Sequence, residues 1–373
     1  VPATKVIVNV PGEQPYDVRI GNGVLDAFGA ALKTTPGLEH VSRYLVLSDS
    51  NVAPLYLKAC KEALAAADLK SCDISVPAGE DSKSVAVAEE IWEAMAQLGL
   101  GRDCAVIALG GGVVGDLAGF VGSTFMRGVP IVQAPTTLLS MVDSSVGGKT
   151  GVNLRAGKNL VGTFTQPRYV CADTSTLATL DEREWACGCG EIAKSAVIDS
   201  DDFFFWLVEH ADELAKREMS VVEEAIARCV VFKAGVVAAD KTESRGVREC
   251  LNYGHTLGHA IEKLSGYGTF SHGAAVAEGM RFAARLGAAI SDTPIELVET
   301  QDSLLDALGL PALAWHAAPD AMLDAMKRDK KARGGQVRFV VPNDVGVWEV
   351  ANVADDVILE HLKAWALSKE GLR

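Results

Sequence analysis

The sequence is short of positive charge. Lysine and arginine together number 35 against 49 aspartates and glutamates, which leaves a formal charge of −14 at pH 7. A nucleic-acid groove needs clustered cations to hold phosphates, so no nucleic-acid partner is expected. Aromatics make up 6% of the 373 residues. No apolar run reaches the ~18 residues needed to cross a bilayer, so no membrane partner is expected either. No basic stretch leads into an apolar segment at the start, and a cytoplasmic address is the expectation. The eight cysteines, at 60, 72, 104, 171, 187, 189, 229 and 250, contain no C-x-x-C pair and are scattered through apolar stretches. They read as reduced buried thiols, not as a disulfide framework or zinc ribbon. An anionic ligand must therefore be met by a few local cations inside an acidic protein.

Apolar residues amount to 49%, and the length exceeds what one core usually sustains, so two domains are expected. Short β-branched runs at 5–10, 44–48, 105–109 and 130–133 alternate with helical periodicity at 54–67 and 84–98. Strands and helices taking turns indicate a parallel sheet covered on both faces. Beyond about Asp173 helical patterns dominate, at 201–218, 221–239, 255–264, 274–289 and 294–308. A late strand pair at 336–341 and 345–349 is expected to turn at Pro342-Asn343-Asp344. The fold class is α/β: an N-terminal nucleotide-binding, Rossmann-like α/β domain over 1–173, then a mainly α-helical domain over 174–373.

The strand at 105–109 runs into Gly110-Gly111-Gly112-Val113-Val114-Gly115-Asp116, formally G-x-G-x-x-G. Such glycines let backbone approach a pyrophosphate at a helix N-terminus, although a plain tight turn has the same spelling. The acid usual about 20 positions further on is absent, since Gln133 to Thr137 occupy the end of the next strand. Asp49, ending an earlier strand, is the natural replacement as ribose partner, and the sheet order is then not the ordinary one.

Two glycine-flanked lysine turns follow, Asp143-Ser144-Ser145-Val146-Gly147-Gly148-Lys149-Thr150 and Gly157-Lys158-Asn159. They can form anion-binding concavities, or remain solvated loops. A P-loop would need glycine where Asp143 stands, which argues against a nucleotide triphosphatase. Further on, His255 and His259 lie four apart on one helical face, and His272 opens the next helix. Glu191 and Lys194 share a face elsewhere, readable as a carboxylate ligand beside a cation or as a surface salt bridge. Three oxygen and nitrogen ligands would suit zinc or cobalt(II) acting as a Lewis acid on a hydroxyl.

These motifs, together with Asn252-x-Gly254-His255-Thr256-x-Gly258-His259-Ala260-Ile261-Glu262 and Asp329-Lys330-Lys331, resemble in kind and order those of the dehydroquinate synthases, over about residues 43–341. The resemblance implies an NAD-dependent, metal-dependent enzyme, usually homodimeric, with a small anionic sugar-acid phosphate as substrate. It implies that Glu191, His255 and His272 hold the metal while His259 contacts substrate. It places NAD against Gly111, Gly112, Val113 and Asp116, with Thr136, Thr137, Asp49, Glu80 and Lys83 nearby and Asp143, Lys149 and Lys158 on the same side. Substrate phosphate and carboxylate are implied for Lys149, Asn159, Lys194, Lys233, Arg248, Asn252 and Lys330, with Arg127 reaching a partner subunit's site. The chemistry implied is hydride abstraction, phosphate elimination, hydride return and intramolecular aldol closure.

Departures are local. Gly190-Glu191-Ile192-Ala193-Lys194 stands where Ala-Glu-Val-Ile-Lys is common, and His272-Gly273-Ala274 where His-Gly-Glu is common. The spacing from Lys233 to Arg248 is one residue longer than usual. Sibling cyclases making amino-dehydroquinate or valiolone-type products, and polyol dehydrogenases with a similar glycine turn, are the competing readings.

Overall fold

The computed structural model describes residues 3–328 and 336–371. The chain divides into two compact units, Val1–Leu180 with Ile226–Thr242, and Asp181–Ala225 with Glu243–Arg373. The first unit thus extends past 173 and takes back a stretch of helix from far beyond it.

In chain order the first unit contains β1 (Thr4–Val8), β2 (Tyr16–Gly21), α1 (Phe28–Lys33), β3 (Arg43–Asp49), α2 (Lys58–Ala66), β4 (Ser71–Val76), α3 (Val85–Gln97), β5 (Cys104–Gly110), α4 (Gly112–Thr124), β6 (Ile131–Pro135), β7 (Lys149–Leu154), β8 (Gly157–Phe164) and β9 (Tyr169–Asp173). Seven of the strands form one sheet in the order β1-β2-β9-β6-β5-β3-β4. Pairing is parallel except between β1 and β2. Both faces are covered, which explains the unbroken apolar runs. Leu45, Leu47, Val106 and Ala108 pack with α3 and α4 residues such as Ile91, Met95 and Leu117. Their neighbours Tyr44, Val46, Ala105 and Ile107 pack with Phe28, Leu32 and Leu64 of α1 and α2. From β3 the chain passes to β4 on one side and then crosses back to place β5 on the other. At such a reversal the loops after the two central strands diverge and leave a crevice at their carboxyl ends. Asp49 and Gly110 end those two strands.

The two lysine segments expected as turns are instead the arms of an antiparallel hairpin, β7 with β8. Their glycines hide the strand pattern in the sequence, yet serve packing. A Cβ on Gly151 would lie 2.7 Å from Val161 O, and one on Gly162 would lie 2.0 Å from Thr150 O.

The second unit contains α5 (Glu182–Asp199), α6 (Asp201–Glu209), α7 (Ala211–Ala215), the start of α8 (Met219–Ala239), α9 (His255–Ser265), α10 (His272–Ile290), α11 (Ile295–Ala307), α12 (Pro319–Lys327), β10 (Val337–Asp344), β11 (Val347–Val353) and α13 (Asp355–Glu370). One helix expected over 201–218 is broken at His210, whose ring stacks on Trp206 at 4.8 Å while Nδ1 meets the Trp206 carbonyl at 2.8 Å. The β10–β11 hairpin turns at Val345-Gly346, not at Pro342-Asn343-Asp344, which belong to β10 around a register shift. Gly346 supplies the left-handed conformation, φ +71, that a tight turn demands. Leu257, Ile261, Phe282, Leu286, Met322, Phe339 and Leu362 join α9, α10, α12, β10 and α13 in one core.

Candidate active site

Three helices of the second unit approach to backbone contact through glycine. A Cβ on Gly273 would lie 2.3 Å from Cys187 O, and one on Gly190 2.9 Å from Gly273 O, so α5 and α10 touch where neither tolerates a side chain. Gly254, φ +78, enters α9, and a Cβ on Gly279 would lie 1.8 Å from its carbonyl oxygen. Ser271 caps α10 by accepting from Ala274 N at 3.3 Å. This packing sets Glu191, midway along α5, against the first residues of α9 and α10, His255 and His272.

Glu191 Oε1 lies 3.7 Å from His255 Nε2 and 3.7 Å from His272 Nε2. Each histidine is held by its other nitrogen. His255 Nδ1 is 3.1 Å from the Tyr253 carbonyl, and His272 Nδ1 is 3.2 Å from Glu262 Oε2. With those nitrogens as donors, both Nε2 lone pairs turn toward the Glu191 oxygen. That oxygen is buried and accepts no hydrogen bond among the described residues. Ligand atoms around a tetrahedral ion at ~2.1 Å sit about 3.4 Å apart, so these three groups fit a divalent cation. A second group of possible ligands, His259, Glu262 and His272, shares a histidine with the first. There Glu262 is already turned to His272 Nδ1. His259 stands beside the first set, its ring 5.4 Å from that of His255.

Lys194, 2% exposed, pairs with Glu191 Oε2. Arg248 is equally buried, with Nε 3.8 Å from Glu243 Oε1, and Asn252 ends the same short 3-10 turn before α9. Buried cations are costly unless paired; among the described residues four of them, Lys83, Lys194, Lys233 and Arg248, are ones the sequence singled out, while Arg281 and Lys369 are not. Burial disfavours the charged form of His272. The hydrogen bond and charge of Glu262, with Glu191 behind, outweigh it and hold the imidazole above the ordinary histidine range. Between Lys233 and Arg248 the chain leaves α8 through a loop in which Glu243 and Gly246 have positive φ.

In the first unit, α4 begins at the end of β5 with Gly111 as N-cap and no side chain closing its first turn. Partly exposed Gly111, Gly112 and Val113 thus present helix N–H groups, the usual seat of a pyrophosphate. A Cβ on Gly111 would lie 3.1 Å from Thr137, and one on Gly112 3.2 Å from Ser144 Oγ. Asp49 Oδ1 accepts from Asn51 and Val52 N at 2.8 and 2.9 Å, which fixes its carboxylate at the mouth of the crevice. Lys83 pairs with Asp116; burial pushes the Asp116 carboxyl up while Lys83 pulls it back. Thr136 Oγ1 is buried without a partner among the described residues. Lys233, from the returning part of α8, meets Asp143 at 2.8 Å. Glu80 accepts from Asn153 at 2.7 Å, and Asn153 Oδ1 in turn accepts from Asn159 N at 2.9 Å, with Asn159 at φ +54.

Lys149 is exposed and Lys158 half-buried, both on the hairpin. Arg127 sits in an exposed turn whose residues Met126, Arg127 and Gly128 have φ of +51, +70 and +115. Lys330 lies outside the described residues. Sequence reasoning gave no role to Asn153, Tyr253 or Glu262. Glu262 was findable, because it lies on the His255 face two turns on. The Asn153 contact had no such signal.

The model of the 3-dehydroquinate synthase N-terminal family matches residues 73–187, and that of the 3-dehydroquinate synthase C-terminal family matches 188–332. A 3-dehydroquinate synthase of Acidithiobacillus ferrooxidans is 45% identical over 338 residues, 90% of this chain and 91% of that one. One from Neisseria meningitidis serogroup B is 42% identical over 344 residues, 92% and 94% of the two chains. Among solved structures, 2-deoxy-scyllo-inosose synthase complexed with carbaglucose-6-phosphate, NAD+ and Co2+ aligns with a TM-score of 0.83 at 26% identity, over 97% of this chain and 99% of that one. The 2-epi-5-epi-valiolone synthase of Streptomyces hygroscopicus, with NAD+ and Zn2+ bound, aligns at 0.84 and 27% over the same shares. A probable glycerol dehydrogenase of Sinorhizobium meliloti, at 0.61 and 16%, covering 95% and 98%, shares the fold.

Proposed function

This chain belongs to the 3-dehydroquinate synthase family, and on that premise we propose that it converts 3-deoxy-D-arabino-heptulosonate 7-phosphate into 3-dehydroquinate and phosphate, a lyase step of the shikimate route to aromatic compounds. The observation that carries the reading is Glu191 Oε1, buried and without a hydrogen bond among the described residues, equidistant from two imidazole nitrogens that are each held from behind. NAD and a zinc or cobalt ion, when bound, supply reversible hydride acceptance and polarisation of a substrate hydroxyl, which allows phosphate elimination, re-reduction and aldol closure.

Glu191, His255 and His272 hold the cation, and His259 contacts substrate. Gly111, Gly112, Val113 and the first turn of α4 receive the pyrophosphate. Asp49 meets a ribose, and Glu80, Lys83, Asp116, Thr136, Thr137, Asp143, Lys149 and Lys158 complete the cofactor's surroundings. Lys194, Arg248, Asn252, Lys233, Asn159 and Lys149 clamp substrate phosphate and carboxylate, joined by Lys330, and Arg127 serves a partner subunit. A clamped anion turns several bimolecular steps into intramolecular ones, which is how one site serves them all. The first unit serves NAD and the second the metal. The working form is a homodimer in the cytoplasm.

The test is phosphate release from 3-deoxy-D-arabino-heptulosonate 7-phosphate, with and without chelator and NAD. Release that needs both, with no lasting rise in NADH absorbance, is expected. Accumulating NADH would indicate a dehydrogenase, and turnover of an amino-substituted or valiolone-type precursor alone would indicate a sibling cyclase.

A further inference from the structure

The two imidazoles facing Glu191 are supported unequally. Behind His255 stands a neutral backbone carbonyl, that of Tyr253, which no substitution at that residue removes. Behind His272 stands a carboxylate, Glu262, reaching from the third turn of α9 to the first residue of α10 at 3.2 Å. The Glu262 side chain is 14% exposed and that of His272 31%, so the contact is shielded without being sealed. Nothing else in the mechanism uses Glu262. Its reach joins the two helices whose first residues must converge on Glu191.

We propose that Glu262 is the positioning residue of the metal site: it fixes the tautomer and ring orientation of His272, so that Nε2 faces Glu191, and it is not itself a ligand. A carboxylate behind a ligating histidine holds the ring and strengthens its nitrogen as a donor. The rival arrangement is the second set, in which His259 and Glu262 coordinate directly with His272. The two differ in what they need. A positioning role needs only an acceptor oxygen at Nδ1, whereas the rival also needs His259.

The inference rests on the metal-site reading above, and the test separates the two. Zn2+ and Co2+ affinities of the purified full chain are measured by chelator competition, with the visible spectrum of the Co2+ form as a second readout. The variants are Glu262→Gln, Glu262→Ala, His259→Gln and His255→Ala. A graded loss is expected: a few-fold for Glu262→Gln, which keeps an acceptor oxygen, and roughly 10- to 100-fold for Glu262→Ala. The Co2+ spectrum of each should change while His259→Gln binds both ions as the parent does. Parent-like affinity and spectrum in both Glu262 variants would overturn the proposal, as would a loss in His259→Gln matching that in Glu262→Ala. If Glu262→Ala does not fold by circular dichroism, Glu262→Gln decides alone, and an unchanged affinity and spectrum there refutes the role. Retained metal in His255→Ala would instead overturn the site itself.

Discussion

Lys233 Nζ donates to both the carbonyl oxygen and Oδ1 of Asp143, at 2.6 and 2.8 Å, across 90 positions of sequence. The contact ties the returning segment of α8 to the loop between β6 and β7. It explains why a lysine beyond the expected domain boundary belongs with the sheet. The Lys233 side chain is 10% exposed and that of Asp143 32%, so the two ends are not equivalent. Replacing Lys233 by Met leaves a carboxylate that water can reach, whereas replacing Asp143 by Ala keeps the carbonyl contact but takes this carboxylate from a more deeply buried ammonium. Both should destabilise, by about 1–3 kcal/mol, with Asp143→Ala the worse of the two. Urea unfolding of the variants gives the order, and equal or reversed losses would contradict it.

Lys194 and Glu191 form a buried ion pair, with side chains 3% and 2% exposed. Removing one partner of such a pair costs roughly 3–5 kcal/mol because the other is left uncompensated. In Lys194→Ala a bound cation can take over that compensation. The metal-free variant should therefore melt well below the metal-free parent, and added Zn2+ should recover much of the difference. Turnover should remain down by roughly 100-fold or more even when metal is saturating, since the proposed substrate contact is gone. Thermal melts with and without Zn2+, beside steady-state assays, check both halves.

Gly273→Ala tests the packing that brings the proposed ligands together, because it adds one methyl and removes none of them. The new Cβ would lie 2.3 Å from the Cys187 carbonyl oxygen, a backbone atom that cannot swing aside. Overpacking of this kind costs about 1–3 kcal/mol or more. Here the strain is relieved by parting α10 from α5, and His272 moves with it. Weaker metal binding together with a lower melting temperature is expected. A variant that binds Zn2+ like the parent would show that the helix contact does not set the site.

The thiols carry an alkaline prediction. None of the eight cysteines forms a disulfide, and seven are buried. Burial pushes Cys60, Cys187 and Cys189 up to about 12, and Cys104 and Cys250 up to about 11, from an ordinary 9.0. A raised folded-state value means the unfolded chain ionises first. The stability these thiols contribute is complete below pH 9 and is lost as pH rises toward 11 and 12. Stability should fall steeply across that window. At pH 8 an aromatic disulfide reagent should react first at half-buried Cys72 and reach the others only on unfolding. Fast modification of several thiols in the native protein would refute this.

Patterns of short range were legible in the sequence. Fully apolar runs gave β3 and β5, because a strand covered on both faces has no polar side to display. The glycine turn after β5 was placed by the strand before it and the helix after it. A four-residue spacing put His255 and His259 on one helical face, and the aspartate at 143 argued against a P-loop. The β7–β8 hairpin was missed because its glycines, needed where the two strands face each other at Gly151 and Gly162, look like turn residues in one dimension. The hairpin turn at Gly346 was misplaced because Pro342 gives the stronger local signal, although a register shift accommodates it inside β10.

What the sequence determined by itself was the residues and their local conformation: which side chains could bind a cation or an anion, and which helix or strand carries each. What only the tertiary structure decided was the convergence. Glu191 meets His255 and His272 because glycines on three helices remove the side chains that would hold the backbones apart. The carboxylate behind His272 and the lysine beside Asp143 were settled the same way. Periodicity reports on neighbours a few residues distant, whereas the approach of remote helices depends on steric fit among atoms that no local pattern brings together.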